Sequence, residues 1–436
     1  MHIPSYAVIY RQAFPVFIAS SAALFSSWTD TFLAGFWGTD AVAAVGLCSI
    51  AFFFLSSFAT GFSLSVQSFT AELIGKGRQR HLLAPYCICL LLGGTLASIF
   101  MVVDLAEPER YMRTLTNDSA VIQIARRYME PLIIALPFYY FNSASKGFLI
   151  ALGMPWLASR LSLFTQAANV VLSVILAFGY LGAPRLGVFG IGLATLLAYL
   201  SGSVLYFSVV VYMICKRSLR IGSITKGNVR RIIKKTAISG SNQNLYALTL
   251  TLGFAIVGHI GAAETAIYQI INQITLLQVF ISSSLGSVAI SHIGRAIGDG
   301  QLNNAGAIGR KVTKAAIIPV TIYAVVMAGL SDIIVGWFLS DRAVNTGLIL
   351  LFSAACLILP ITVAGNLINF SLMGVQRFER VWLVSFCCQY LIFLPVGFTL
   401  GILLGFDFAG IIIAELVYRV TLLAVQYHGW TAFQKT

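Results

Sequence analysis

The chain has 436 residues, of which 58% are hydrophobic and only 10% are charged. Soluble domains contain about 25% charged residues, so this composition excludes an ordinary soluble fold and places most of the chain in lipid. The formal net charge of +13 does not indicate nucleic-acid binding, because the basic residues concentrate in alternate loops between apolar stretches.

Apolar stretches of about 20 residues recur along the chain, and stretches of this length predict membrane-spanning helices. We predict twelve, which makes the fold class an all-α polytopic membrane protein with two six-helix lobes. The predicted spans are residues 8–35, 42–72, 82–104, 122–150, 156–180, 187–214, 232–258, 264–291, 307–332, 344–373, 381–403 and 407–430.

The first predicted span contains Asp30 near its outer end, the only acid between Met1 and Phe36. A carboxylate inside a membrane span is costly and usually functional, so Asp30 is a candidate ion or substrate site. The alternative is an Asp just outside the lipid that makes hydrogen bonds at a helix end.

The fourth predicted span contains a second polar face. Lys146 lies four residues after Asn142, so both are on one side of a helix. Lys146 either extends to the cytoplasmic surface or faces the same cavity as Asp30 as a local counter-charge. Tyr139, next to this face, could offer a ring to a cation.

The basic loops predict the orientation of the chain. The largest cluster lies between the sixth and seventh spans, and others follow the second, eighth and tenth spans. By the positive-inside rule, both termini are expected in the cytoplasm of a multi-pass protein of the plasma (inner) membrane. The start of the chain lacks a basic n-region and a cleavage site, so no signal peptide is expected. The main cluster contains Lys216, Arg217, Arg220, Lys226, Arg230, Arg231, Lys234 and Lys235.

The two halves of the chain are related by an internal repeat. A shift of 223 residues superposes four glycines, Gly35, Gly38, Gly75 and Gly77, on Gly258, Gly261, Gly298 and Gly300. The shift falls to 221 and then to 220 toward the end of each half. We therefore predict an N-terminal lobe at 1–214, a basic linker at 215–235 and a C-terminal lobe at 236–436. Parallel repeats of this kind are typical of secondary transporters.

The last predicted span contains Glu415 and Arg419, which are four residues apart and can pair on one helix face. Glu415 is the repeat mate of Thr195 at the shift of 220. The favoured interpretation is a structural ion pair, and the alternative is a second coupling site.

Several chemistries have no sequence support. The chain contains no Walker GxxxxGK[ST] loop, no HExxH and no GxSxG motif, so neither an ATP-driven pump nor an enzyme is expected. Its five histidines and seven cysteines lack ligand spacing, so we expect no metal site and no cofactor. Transport energy would then come from an H⁺ or Na⁺ gradient.

Short motifs in the first half of the chain resemble the MATE (multidrug and toxic compound extrusion) family. Asp30-Thr31-x-x-x-Gly35-x-x-Gly38 and the following Ala43 to Leu47 resemble its helix 1 to helix 2 signature. Pro15 stands where the family has a bending proline. Gln67 to Gly77 resembles its exit from helix 2, although Phe69 to Glu72 departs from it. The segments Ala151 to Pro155 and Leu186 to Thr195 match its helix 4–5 turn and its helix 6 start.

The resemblance implies two six-helix lobes around a V-shaped cleft, and efflux of cationic or amphipathic organic molecules in exchange for H⁺ or Na⁺. It assigns ion coupling to Asp30, Asn169 and Thr195, with Ser173 where the family often has an acid. It also implies substrate contacts by Asn142, and we add Tyr139, Lys146 and Gln67 as candidates. The seventh and tenth spans lack the acids of one family branch, which favours coupling in the N-terminal lobe, as in the DinF-like branch.

Two other functions stay open at this point. A lipid-linked oligosaccharide flippase of the same superfamily would need several deep Arg or Lys residues. A non-transporting membrane protein, such as a receptor, is disfavoured by the repeat and by Asp30. The expected partners are small organic cations or amphiphiles and the lipid bilayer, with no nucleic acid, and the protein is expected to be monomeric.

Overall fold

The computed structural model describes residues 3–106, 118–217, 219, 225–338 and 346–435. These segments are helical, joined by short turns, and contain no β-strand. In chain order the helices are α1 Tyr6–Ala34, α2 Thr39–Gly75, α3 Leu83–Ala106, α4 Ser119–Ala151, α5 Pro155–Phe178, α6 Val188–Arg217, α7 Lys226–Ile260, α8 Ala262–Gly298, α9 Leu302–Gly329, α10 Ser331–Phe338, α11 Thr346–Gly374, α12 Phe378–Leu403 and α13 Asp407–Lys435.

Each predicted span lies mainly on one of these helices, although the ninth, 307–332, runs past the end of α9 at Gly329 into α10. The predicted all-α fold with twelve spanning helices is confirmed. Ten helical stretches in the described part of the chain are long and apolar enough to cross a membrane. The remaining two long helices are α4 and α7, with 33 and 35 residues. Charged residues lower the mean hydropathy of both, because α4 contains Arg126, Arg127, Glu130 and Lys146 and α7 begins in the basic segment.

Helix α7 begins at Lys226, inside the segment predicted as a linker. The basic sequence that the charge pattern assigned to a loop is therefore helical from Lys226 onward. Of the basic residues named above, Arg220 lies outside the described residues. The predicted lobe boundaries at 214 and 236 stay a prediction, since they follow the repeat and not the packing.

By packing, the chain forms two compact units. The N-terminal unit contains Pro15–Gly240, and the C-terminal unit contains Met1–Phe14 together with Ser241–Thr436. Helices α1 and α7 therefore each divide between the units, α1 at Pro15 and α7 at Gly240. A proline inside a helix removes one backbone hydrogen bond, so α1 changes units where its hydrogen-bond ladder is interrupted.

In the N-terminal unit, small residues allow close helix packing. A Cβ on Gly61 of α2 would lie 2.3 Å from the carbonyl oxygen of Ser239 on α7. A Cβ on Gly147 of α4 would lie 2.3 Å from the carbonyl oxygen of Ser63 on α2. Such contacts are typical of membrane helices, where close backbone approach supplies the packing energy that the hydrophobic effect supplies in water. This packing fixes α4 against α2, and both helices contribute side chains to the cavity at Asp30.

In the second unit, two helices depart from regular α geometry. Helix α11 is interrupted at Ile358, which keeps helical dihedral angles (φ −75°, ψ −21°), between its segments Thr346–Leu357 and Leu359–Gly374. Helix α12 contains two π-helical segments, Cys387–Phe393 and Thr399–Leu403. Because π-helical turns are rare and often occur at functional sites, the first segment, Cys387–Phe393, is a candidate functional element of this unit.

Candidate functional site

Two hydrogen bonds, one helical turn apart, join α1 to α5. The Ser26 hydroxyl donates to Oδ1 of Asn169 over 2.5 Å. The Ser173 hydroxyl donates to Oδ1 of Asp30 over 3.2 Å. Ser26 and Asp30 are four residues apart on α1, as are Asn169 and Ser173 on α5. That spacing puts each pair on one helix face, so a polar stripe on one helix meets a polar stripe on the other.

Asp30 is buried, with 8% of its surface exposed. Its carboxylate accepts the hydrogen bond from Ser173, and Tyr128 of α4 lines the same cavity. No Lys or Arg in the described part of the chain forms an ion pair with it. The carboxylate is therefore held by a neutral donor, and Asp30 does not match the alternative of an interfacial Asp in contact with water.

Asn169 extends the network to a third helix. Its Nδ2 donates to the Thr195 hydroxyl of α6 over 2.8 Å, while its Oδ1 accepts from Ser26. The Thr195 hydroxyl in turn donates to the backbone carbonyl of Ile191 over 3.3 Å. A single amide thus connects α1, α5 and α6, and each of its partners is a hydroxyl.

The network opens onto a cavity of about 190 Å³. Hydroxyl groups, amides and aromatic rings line it, and Asp30 is the one charged residue among them in the described structure. Typical pockets for drug-sized molecules have about 300–1,000 Å³, so this cavity has room for an ion with water or for a small organic group. The lining residues are Ala23, Ser26, Ser27, Asp30, Ser49, Phe52, Phe53, Ser56, Tyr128, Leu132, Tyr139, Gln166, Asn169, Thr195 and Tyr199.

The structure brings Asp30, Asn169, Thr195 and Tyr139 together at this cavity. Ser173 does not line the cavity but bonds to Asp30. The Tyr139 ring packs edge-on against Tyr199, with the ring centroids 5.1 Å apart. A cation that entered beside Asp30 would therefore find aromatic surface within the same cavity.

Three other candidates do not line the cavity. The Asn142 amide donates to the Tyr199 carbonyl over 3.0 Å and accepts from the Ser203 hydroxyl over 2.9 Å, so both of its polar ends are used within the α4–α6 interface. Lys146, one turn further along α4, is partly buried. Gln67 is buried on α2, with 1% of its surface exposed.

Glu415 and Arg419 lie in the other compact unit, on α13. Nη2 of Arg419 is 3.1 Å from Oε1 of Glu415, so the predicted ion pair forms. Pro15 lies inside α1, where the chain passes from one unit to the other.

The lining residues that the sequence reasoning missed include Tyr128, Gln166 and Tyr199. Gln166 lies one turn before Asn169 on α5, and Tyr199 lies one turn after Thr195 on α6, so the spacing from residues already singled out was the available signal. Tyr128 gave no such signal, because tyrosines in an apolar chain commonly face the membrane interface.

A carboxylate that is held by a neutral hydroxyl and has no ion-pair partner can bind one positive charge at a time. A bare anion in a medium of low polarity is costly, so Asp30 favours states in which a proton, a metal cation or an organic cation neutralises it. The cavity is therefore chemically suited to exchange one positive species for another.

Comparison with known proteins gives a family match across most of the chain. A model of the MatE family matches residues 15–175 and 237–399. The chain is 24% identical over 415 residues to "Probable multidrug resistance protein NorM" of Pseudomonas aeruginosa, covering 92% of this chain and 84% of that one. It is also 24% identical over 408 residues to a protein of the same name from Listeria monocytogenes, covering 91% and 89%.

Solved structures share the fold at low sequence identity. One is an outward-facing multidrug resistance MATE family transporter of the MOP superfamily, with a TM-score of 0.85 and 18% identity over 99% of this chain and 97% of that one. Another is a MOP superfamily transporter from Pyrococcus furiosus, with a TM-score of 0.82 and 18% identity over the same shares of the two chains.

Proposed function

We propose a transport function for this chain, which belongs to the MatE family: it exports cationic or amphipathic organic compounds in exchange for H⁺ or Na⁺. Members of this family are membrane transporters and not enzymes. The MATE resemblance of the sequence motifs is thereby confirmed, while the DinF-like branch stays a prediction. The observation that carries the coupling proposal is the buried carboxylate of Asp30, which has neutral partners and faces a cavity.

The proposed mechanism is competition for one carboxylate. When H⁺ or Na⁺ neutralises Asp30, an organic cation has no charge partner in the cavity and leaves it. When that ion departs, the bare carboxylate attracts the next organic cation, because an unpaired charge in this environment is costly. Ser173 holds the carboxylate in place through both steps. In this scheme Asn169 and Thr195 fix α1, α5 and α6 around it.

The test is efflux of a fluorescent organic cation from vesicles that contain the purified protein. One set of vesicles is energised by a pH gradient alone and another by a Na⁺ gradient alone. Efflux in either set supports ion-coupled export and identifies the coupling ion. The absence of efflux in both, with protein that is folded and inserted, would contradict the proposal.

The coupling residue has its own prediction. We expect Asp30→Asn to abolish gradient-driven efflux while the protein still folds, because the amide has a similar shape but cannot exchange a positive charge. Asp40→Asn is the matched control, because it removes the same charge from an exposed position at the start of α2. The readout is the initial efflux rate per folded protein. Wild-type rates in Asp30→Asn would show that coupling occurs elsewhere.

The flippase alternative is not favoured. Recognition of a pyrophosphate would require several cationic side chains, and no Lys or Arg is among the described residues that line the Asp30 cavity. The charge at this cavity is negative, which suits organic cations instead.

The cellular setting completes the proposal. The family places the chain in a membrane with multiple passes, and we propose the plasma (inner) membrane with both termini in the cytoplasm. The basis is the positive-inside distribution of Lys and Arg. A single chain contains the complete Asp30 cavity, and a monomer is accordingly the proposed working unit.

A further inference from the structure

The C-terminal unit contains a second, smaller polar cavity. Its volume is about 20 Å³, and side chains of α7, α8, α12 and α13 line it. The ion pair of Glu415 and Arg419 is part of its wall. Arg419 is buried, with 7% of its surface exposed, and its Nε has no hydrogen-bond partner in the described structure.

This cavity is the repeat-related counterpart of the Asp30 cavity. Five residues that line it are mates of Asp30-cavity residues at the shift of 223, and two more are mates at the shift of 220. The pairs are Ala23 and Tyr246, Ser26 and Thr249, Ser27 and Leu250, Ser49 and Asn272, Phe52 and Thr275, Thr195 and Glu415, and Tyr199 and Arg419.

One hydrogen bond of the Asp30 site is preserved in the second unit. The Thr249 hydroxyl donates to Oε1 of Gln389 over 2.9 Å, and these residues are the mates of Ser26 and Asn169. Gln389 belongs to the π-helical segment Cys387–Phe393, which corresponds to residues 167–173 of α5. The bond between the first and fifth helices of each half is therefore retained, although α12 is wound differently from α5.

The coupling carboxylate, by contrast, is absent at the equivalent position. The mate of Asp30 is Gly253, and the mate of Ser173 is Phe393. A Cβ on Gly253 would lie 2.7 Å from the Tyr268 hydroxyl and 3.6 Å from the Phe393 ring, so a carboxylate side chain there would have to displace Tyr268. The acid of this cavity comes from α13 instead, as Glu415.

The surroundings of Glu415 are those of an organic-cation site. Four aromatic residues, Tyr246, Tyr268, Phe393 and Tyr418, line the cavity with it. Aromatic rings around an acid are a recurring means of binding guanidinium and quaternary ammonium groups. In this structure the cation is the guanidinium of Arg419, whose central carbon is 4.6 Å from the Tyr418 ring centroid.

We propose that this cavity is a second binding site for organic cations of the guanidinium type, and that Arg419 occupies it as a tethered competitor. The proposal deepens the proposed function by naming a class of cation. It rests on that function in one respect, that the transported compounds are cationic. It does not require Asp30, because the charge partner is Glu415. Removing the Arg419 side chain should leave an acid in an aromatic cavity, open to a free guanidinium ion.

The test is thermal unfolding of purified Arg419→Leu in detergent. We expect a lower melting temperature than wild type, and a saturable rise of several degrees on adding guanidinium chloride at low millimolar concentration, since a ligand that binds only the folded state raises its stability. Sodium chloride at the same concentration should give no such rise. Wild type should not respond, because Arg419 fills the site.

Two matched variants make the result decisive. Glu415→Leu with Arg419→Leu should not respond to guanidinium, because the acid is gone. Asp30→Asn with Arg419→Leu should respond like Arg419→Leu, and loss of the response in that variant would place the cation at Asp30 and overturn the proposal. Where Arg419→Leu does not fold, Arg419→Gln keeps a hydrogen-bond donor to Glu415 and serves the same titration. The proposal would also be overturned if neither Arg419→Leu nor Arg419→Gln responded to guanidinium, or if the variant without Glu415 responded equally.

Discussion

At the residue scale, the Asp30 site depends on hydroxyl groups. Ser173 donates to the carboxylate, and Ser26 and Thr195 hold Asn169. A hydroxyl can donate to a charged carboxylate and still accept from a protonated one by rotating its hydrogen. The site can therefore satisfy Asp30 in both states without moving a helix.

Ser173 allows a direct test of this arrangement. We expect Ser173→Ala to slow gradient-driven efflux about tenfold, because a hydrogen bond to a charged group contributes about 1.5–3 kcal/mol. Ser208→Ala is the control, since the Ser208 hydroxyl is exposed and bonds only to the Val204 carbonyl of its own helix. Initial efflux rates at matched protein levels are the measurement. Equal rates in the two variants would mean that Ser173 does not support Asp30.

Sequence reasoning located part of the polar network of this site and missed Ser26, Gln166 and most of the aromatic residues. Asp30, Asn169 and Thr195 were identified from their resemblance to a motif, and a lone acid in an apolar span is conspicuous by itself. Tyr128 and Tyr199 could not be selected among 17 tyrosines, because the direction of a ring is decided by how a helix is rotated against its neighbours. For the same reason the sequence could not show that the Asn142 amide is engaged by α6.

At the element scale, backbone approach at glycine fixes α2 against its neighbours. Gly61 meets the backbone of Ser239 and Gly240, so α2 and α7 touch without side chains between them. The sequence predicted that both helices exist, from their apolar length. It did not predict this contact, since glycines that pack and glycines that face lipid look alike in one sequence.

A pair of glycine substitutions on α2 tests the contact. We expect Gly61→Ala to lower the detergent melting temperature and the yield of folded protein, because its Cβ would overlap backbone atoms that cannot rotate away. Overpacking of this kind costs about 1–3 kcal/mol. Gly46→Ala on the same helix has no atom within 4 Å of its Cβ and should melt like wild type. Similar melting of the two variants would contradict the close α2–α7 packing.

At the scale of the whole molecule, the repeat has produced two cavities with different charge. In the N-terminal unit the acid is on α1, beside hydroxyls that leave it available for exchange. In the C-terminal unit the acid is on α13, already paired with Arg419. The repeat was readable from glycine spacing, and it predicted Glu415 as the mate of Thr195. The loss of room at Gly253 became visible only with Tyr268 and Phe393 in place.

This asymmetry predicts how the C-terminal pair responds to mutation. We expect Glu415→Leu alone to be strongly destabilised, because it leaves Arg419 buried without a partner, at a cost of about 3–5 kcal/mol. The double variant Glu415→Leu with Arg419→Leu should recover most of the melting temperature. It should also retain efflux driven by the gradient, since Asp30 is unchanged. A double variant that is stable but transports nothing would make Glu415 a coupling residue.

The orientation of the chain is a second prediction at this scale. In a background with Cys215→Ser, which removes the exposed native thiol, single cysteines would replace Asp40 and Arg377, both exposed. An impermeant thiol reagent added to intact cells should label position 40 and spare position 377, because the positive-inside rule puts the basic loops in the cytoplasm. Labelling at 377 from outside, with 40 protected, would reverse the proposed topology.

The division of α1 between the two units imposes an order on biosynthesis. The Tyr10 hydroxyl donates to the carbonyl of Ala315, 305 residues further along the chain, and Gln12 meets His292 in the same unit. The amino end of α1 is therefore made long before the surface that receives it leaves the ribosome. Because domains generally fold as units and in order of synthesis, Pro15–Gly240 can pack before α8 and α9 are made. The amino end of α1 reaches its partners only after α8 and α9 have been synthesised.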